Sequence, residues 1–381
     1  MKILFIIDKM KNFAGIERIL TCKMNYIVNH TSHKVFLMTY EQQYQPIPFQ
    51  LDANIIYRPL DLMMPQRSEM SLSQWLKAYH DVRKSFKYQF KSLIDDISPD
   101  IVVSTVYSYQ VLDIIIITCH QKGIKTIMES HTQGETAILS PKFKYNRLLF
   151  KLFSIWDDYI MRSMRHCNCV VTLTRQDIPF WQKYAKRIEV IPNMLTITSK
   201  KVKDYEVKRV ISAGRYMSEK GFDMLLEAWY LLPEEFCDWH LYIFGNGDRS
   251  AYQDIVNKYN MRDSVHLMPA TENIAEEFSR SSLYVMSSRY EGFGLVLAEA
   301  MSCGLPCVSF DCPYGPREII KDKEDGLLAK YEDVKDLAHK MGSLMSDVEL
   351  RHKMGERAIK NITRYEPHTI MNQWINLFET L

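Results

Sequence analysis

Leu283-Tyr284-Val285-Met286-Ser287-Ser288-Arg289-Tyr290-Glu291-Gly292-Phe293-Gly294-Leu295-Val296-Leu297-Ala298-Glu299-Ala300-Met301-Ser302-Cys303-Gly304 holds three kinds of chain in succession. The apolar run at 283–287 is too short for a helix and reads as a buried strand. A polar loop follows, carrying two glycines two residues apart. From Leu295 the residues are helix formers until Gly304 stops them. A strand that opens through glycines into a helix presents bare backbone amides at a helix N-terminus, where the helix dipole favours an anion. Glu291 stands in the loop, and Glu299 lies about two turns inside the helix. One carboxylate can meet the sugar end of a ligand and the other a ribose, with the helix N-terminus between them at a diphosphate.

The same alternation continues in both directions. Residues 2–7, 35–39, 101–104, 125–128, 169–173 and 188–191 read as strands of a first half. Residues 209–213, 240–244, 265–268, 283–287, 306–310 and 326–329 read as strands of a second. Amphipathic segments such as 223–232, 334–345 and 348–362 fill the gaps. Strands alternating with helices predict parallel sheets covered on both faces. A chain of 381 residues is too long for one hydrophobic core. Two doubly wound α/β domains are therefore expected, at 1–195 and 196–365. The hinge falls in the polar, lysine-rich stretch 195–208, after the turn-forming Ile191-Pro192-Asn193. A last helix, within 366–381, carries Ile370, Trp374, Ile375 and Phe378 on one face. It follows a completed second sheet, so it is expected to pack back on the first domain.

Composition narrows the class. Hydrophobic residues make up 46%, charged residues 25%, and the net charge is +2. Nothing there points to nucleic acid. The eight cysteines lack disulfide or zinc spacing, which fits free thiols in a reducing compartment. The N-terminus runs from Met1-Lys2 through a short apolar strand to Asp8 and Lys9, unlike a secretory signal. The longest aliphatic run, 114–117, is too short to span a bilayer. The expected location is cytoplasmic, at most peripheral on the inner face of the cell membrane.

Three further strand-to-helix junctions carry chemistry. Ile7-Asp8-Lys9-Met10-Lys11-Asn12-Phe13-Ala14-Gly15 places a glycine at a helix start, where a tight turn and an anion site are both open readings. Gly214-Arg215-Tyr216-Met217-Ser218-Glu219-Lys220-Gly221 holds two cations five residues apart. Such a pair suits a diphosphate, whose charge needs neutralising from several sides. Phe244-Gly245-Asn246-Gly247-Asp248 lets the chain leave the sheet tightly; it is a plain turn or the lining of a nucleotide site.

Taken together, these elements resemble the family 4 glycosyltransferases of the GT-B fold. The resemblance rests on the glutamate–seven–glutamate element from Glu291 to Glu299, with Gly214-Arg215, Lys220-Gly221 and Gly245-Asn246-Gly247. Gly315-Pro316-Arg317-Glu318-Ile319-Ile320 and Asp325-Gly326 follow, and Ser98-Pro99-Asp100 lies in the looser N-terminal half. It implies two Rossmann-like domains facing across a cleft, the first for acceptor and the second for a nucleotide-diphosphate sugar, commonly a UDP-sugar. By the resemblance, Glu299 would bind ribose, Arg215 and Lys220 the diphosphate, and Glu291 with the amides of Gly292, Phe293 and Gly294 the hexose. Gly214, Gly245 and Leu295 would line the donor. His131, in Glu129-Ser130-His131, matches the family's histidine near the hexose, although a packed histidine in a loop also fits. Gly15 would meet the phosphates from the first domain, with Ala14 standing where many relatives have glycine. The family retains anomeric configuration by front-face attack and needs no metal or cofactor. An Asp-x-Asp metal motif is missing from the sequence: Asp157-Asp158 is adjacent rather than spaced.

Residues 142–165 interleave cations, among them Lys142, Lys144, Arg147, Lys151 and Arg162, with large apolar side chains. This pattern suits either a core helix with a solvated basic face or a helix on an anionic membrane surface. Relatives that extend lipid-linked glycans for capsule, exopolysaccharide or lipopolysaccharide make a polyprenyl-diphosphate-linked saccharide the acceptor hypothesis. A sugar-nucleotide epimerase of the same fold, or a non-catalytic sugar-nucleotide-binding protein, is the alternative. The donor could carry glucose, galactose or either N-acetylhexosamine.

Overall fold

The computed structural model describes residues 1–12, 14–65, 70–105, 111–138, 147–197 and 204–381. Phe13, the cations Lys142 and Lys144, and 198–203 of the expected hinge lie outside these residues. The chain divides into two compact units, Met1–Pro192 with Met371–Leu381, and Asn193–Ile370.

The first unit is built on β1 (Lys2–Ile7), β2 (Lys34–Thr39), β3 (Ile56–Tyr57), β4 (Ile101–Ser104), β5 (Lys125–Ser130), β6 (Cys169–Thr172) and β7 (Ile188–Val190). They form one sheet in the order β3-β2-β1-β4-β5-β6-β7, with every pair parallel. Residues Ile3 to Ile7 are buried along their whole run, because helices cover both faces of a parallel sheet. On one side Leu4, Ile6, Met38 and Val102 pack with Phe86, Phe90 and Ile94 of the helix Leu72–Ile97. The helix Pro367–Thr380 closes the chain. Its Trp374, Leu377 and Phe378 are buried, and Trp374 lies under Lys23 of this unit.

The second unit contains β8 (Arg209–Ala213), β9 (His240–Gly245), β10 (Val265–Pro269), β11 (Leu283–Met286), β12 (Cys307–Phe310) and β13 (Gly326–Ala329). Their order is β10-β9-β8-β11-β12-β13, again all parallel. Its core joins Val210, Leu241, Ile243, Val285 and Val308 to Leu225, Leu226, Leu337 and Met341 from the covering helices. β8 is followed in the chain by β9 on one side, while β11 pairs on its other side. The loops leaving β8 and β11 therefore part company at a topological switch point, where open α/β sheets gather ligands.

Strand edges differ from expectation in explicable ways. β3 is a two-residue edge strand with too little apolar pattern to be seen. β5 runs on to Ser130, which moves Glu129 from a loop onto a strand. β12 starts at Cys307 because Pro306 has no N–H to donate. The described ends of the stretch 195–208 are anchored rather than solvated. Leu195 is buried with its N–H on the Tyr365 carbonyl, and the Tyr205 hydroxyl donates to the Gly304 carbonyl.

All eight cysteines are free. Burial pushes the Cys167 thiol up to about 11 and those of Cys119, Cys169 and Cys312 to about 12, so these sulfurs stay protonated and unreactive at neutral pH. Among the described residues no helix is long and apolar enough to cross a membrane.

Candidate functional site

At the switch point, three loops are drawn together by glycines. A Cβ on Gly245 would sit 1.9 Å from the Gly214 carbonyl oxygen, so the chain leaving β9 passes against the chain leaving β8 only because that side chain is missing. Gly221 has φ +60°, and a Cβ there would lie 2.1 Å from the Ser287 carbonyl oxygen just beyond β11. Ser287 Oγ returns a hydrogen bond of 2.9 Å to the Lys220 carbonyl. The loop after β8 is thus stitched to the loop after β11.

This stitching sets the side chains. Lys220 Nζ donates to Glu291 Oε1 at 2.6 Å, and Ser288 Oγ donates to the same oxygen, also at 2.6 Å. Arg289 forks onto Asp223 at 2.9 and 2.6 Å and caps the Ser218 carbonyl, so it fastens the loop 218–223. Arg215 projects into solvent from the same loop.

The backbone after Glu291 is equally constrained. Phe293 is buried edge-on against Tyr365, with ring centroids 5.2 Å apart. Gly315, at φ +100°, approaches so closely that a Cβ would meet the Phe293 carbonyl oxygen at 2.1 Å. Gly294, at φ +91°, is the N-cap of the helix Leu295–Ser302, and no side chain caps that helix start. Of its first-turn amides, that of Leu297 donates to the Gly294 carbonyl at 2.9 Å, while those of Leu295 and Val296 precede the first acceptor of the helix. Leu295 and Val296 are half-buried over them, while Leu297 to Ser302 are buried. Glu299 is 1% exposed, and Thr196 Oγ1 donates to its Oε1 at 2.5 Å. A lysine paired with a carboxylate at an uncapped helix start, with a second, buried carboxylate within the helix, can hold a polyanion that also carries hydroxyls.

The remaining expected residues belong to the first unit. Gly15 opens the helix Gly15–His30, and Ala14 caps it at φ −126°, ψ 164°. That extended backbone suits any residue, so the methyl costs the backbone nothing. Asp8, Glu17 and Glu41 cluster here with carboxyls raised by burial, each against the pull of Lys9. His131 follows β5 and is buried, with Nε2 3.2 Å from Glu129 Oε1 but off the line of a hydrogen bond. Glu129 is in turn ion-paired with buried Lys23 and accepts from Thr105 Oγ1 at 3.3 Å. Burial pushes the Glu129 carboxyl up, but Lys23 and then His131 outweigh it and hold it well below the usual carboxylate range. Burial lowers the Lys23 ammonium against the attraction of Glu129, and its Nζ stands 3.8 Å over the Trp374 ring.

Of the residues singled out in the sequence, Gly214, Lys220, Gly245, Glu291, Phe293 and Gly294 are joined by these contacts within the second unit. Glu299 sits just over one turn along the helix that Gly294 caps. Gly15 and His131 stand apart from each other's contacts in the first. Ser288, Thr196 and the Arg289–Asp223 pair were not anticipated. Serines and threonines in loops give no signal until a partner is seen, and Gly315 was noted only as part of a motif. Among the described residues no group of three or more His, Cys, Asp or Glu side chains is arranged to hold a metal ion.

Two open, all-parallel sheets of this topology are the architecture of the GT-B glycosyltransferases, and the chain has that fold. The Anabaena protein HepE, crystallised with UDP and glucose, superposes over 100% of this chain and 100% of its own, with a TM-score of 0.72 at 16% identity. Residues 195–361 match the family described as glycosyl transferases group 1. An uncharacterized glycosyltransferase of Haemophilus influenzae is 31% identical over 213 residues, which are 55% of this chain and 60% of that protein. The amylovoran biosynthesis glycosyltransferase AmsD of Erwinia amylovora is 23% identical over 98% of both chains. The chain thus spans under two thirds of the Haemophilus relative but nearly all of the Erwinia one.

Proposed function

We propose that the chain transfers a hexose or N-acetylhexosamine from a UDP-sugar to a saccharide acceptor in surface-polysaccharide synthesis, with retention of anomeric configuration. The contact that carries this reading is Lys220 Nζ on Glu291 Oε1 at 2.6 Å, beside an uncapped helix start. When the donor binds, Lys220 and Arg215 face the diphosphate and neutralise it as the leaving group. Glu291 turns to the hexose hydroxyls, with Ser288 holding its carboxylate, and Glu299 accepts from the ribose. Because the two cations supply the positive charge, no metal or cofactor takes part in this reaction. Catalysis then rests on preorganised electrostatics: the departing diphosphate accepts the acceptor's proton on the face it leaves. Gly15 and His131 would serve the same reaction from the first unit. The relatives named for polysaccharide synthesis, and the UDP and glucose held by HepE, support this assignment.

The acceptor reading concerns the helix Arg147–Arg162. Leu148, Leu152, Ile155 and Tyr159 fall on one stripe and are all exposed, while Asp157, Ile160 and Met161 are buried on the opposite side. Arg147, Lys151 and Arg162 are exposed along the same helix. An outward apolar stripe flanked by cations fits an anionic lipid surface and a lipid-linked acceptor. Flotation with anionic liposomes at low salt is expected to carry the protein upward; failure to float would remove this part of the proposal.

The transferase reading is tested by assaying UDP-sugars with a saccharide acceptor. Lys220→Ala and Glu291→Ala are each expected to lower kcat by about a hundredfold or more, the size of a lost transition-state contact. Unchanged activity in both would show that the site lies elsewhere.

A further inference from the structure

Residues 193–197 follow β7 without regular secondary structure, yet they are held firmly. Met194 and Leu195 are buried, and the Leu195 N–H donates to the Tyr365 carbonyl at 2.8 Å. Ser302 Oγ, at the end of the helix that carries Glu299, shares its proton between the Ile197 carbonyl at 2.8 Å and the Glu299 carbonyl at 2.7 Å. Between these two fastenings stands Thr196. Its Oγ1 lies 2.5 Å from Glu299 Oε1, the length of a hydroxyl donating to a carboxylate.

Glutamate has a long side chain with free rotamers, and a buried carboxylate that is to read hydroxyl groups must be aimed. A carboxylate only accepts, and it offers about four lone-pair directions. Thr196 takes one and thereby sets the carboxylate plane. A second hydroxyl group, arriving on a ligand, then meets a fixed acceptor rather than one that must be ordered on binding, which is where preorganisation raises affinity. We infer that Thr196 is a positioning residue, which orients Glu299 for the hydroxyls of the nucleotide ribose. This rests on the reading of Glu299 as the ribose ligand and extends it to a residue outside the motif. Threonine suits the role because its β-branch restricts the rotamer that delivers the hydroxyl.

Calorimetric titration of the full chain with UDP, and with its analogue lacking both ribose hydroxyls, separates aim from mere packing. Thr196→Val keeps the shape and removes the donor; Thr196→Ala guards against a packing failure of the valine. Both are expected to weaken UDP by about tenfold, as for one hydrogen bond to a charged group, while leaving the analogue's affinity unchanged. Thr196→Ser is expected to restore UDP binding to within about threefold, since it returns the donor. In turnover, the donor KM rises and kcat holds. If the valine and alanine variants bind both nucleotides as wild type does, or lose both equally, Thr196 does not aim Glu299. If Glu299→Ala itself keeps the preference for UDP over the analogue, the ribose role fails, and the inference fails with it.

Discussion

Lys220, Glu291 and Ser288 form a small polar unit whose geometry depends on the close backbone approach at Gly221. Gly221→Ala brings a Cβ to 2.1 Å from the Ser287 carbonyl at φ +60°. Backbone strain and a clash with main chain together are expected to cost about 2–4 kcal/mol. Gly123→Ala provides the control: φ is +70° but nothing lies within 4 Å. Only the left-handed backbone is then strained, at about 1 kcal/mol. Urea denaturation of the two variants separates the terms, and equal losses would show that the close approach is relaxed in solution. Within the polar unit, Ser288→Ala removes one of two donors on Glu291 Oε1 and is expected to lower kcat by about three- to tenfold, well short of Lys220→Ala.

Among elements, the helix Gly15–His30, β5 and the terminal helix Pro367–Thr380 meet at Lys23, Glu129 and Trp374. Lys23→Met strands a buried carboxylate and is expected to cost about 3–5 kcal/mol, whereas Lys23→Met with Glu129→Leu is expected to return most of it. Thermal unfolding checks both, and a double variant as weak as the single would mean that the pair itself is needed. The pH dependence follows from the depressed Glu129 carboxyl. Below its ordinary value of 4.5 the unfolded chain binds a proton that the folded chain does not. Stability is therefore present above about pH 4.5 and falls as acid is added, and the double variant is expected to lose this part of the acid sensitivity. The alternation of strands and helices was legible because parallel strands buried on both faces are continuous apolar runs. The pair Lys23–Glu129 was not: a lysine inside a helical pattern reads as solvated until its partner, 106 residues away, is seen. Thr196 was hidden for the same reason, and the first-unit strand β3 because two residues carry no periodicity. In the site, the glutamates and glycines were visible through their spacing, but that spacing did not reveal that Lys220 pairs with Glu291. Only the neighbouring positions of β8 and β11 in the sheet place them together.

For the whole molecule, the chain's last segment, Met371–Leu381, belongs to the unit that its first residues build. Removing residues 366–381 strips Trp374 from Lys23 and uncovers apolar surface beneath Leu377 and Phe378. The truncated protein is expected to lose Tm by several degrees at least, as about 2 kcal/mol or more of burial is lost. Scanning calorimetry checks this, and an unchanged first transition would show that the helix only rests on the surface. The activity of the whole chain is decided by what happens to a sugar nucleotide given an acceptor. The most direct measurement is NMR of the products formed from an α-linked UDP-hexose or UDP-N-acetylhexosamine with a lipid-linked saccharide. The prediction is a new α-glycosidic bond and one UDP per bond formed, slowed about a hundredfold or more by Lys220→Ala. A β-linked product, or conversion of the UDP-sugar with no acceptor present, would contradict it.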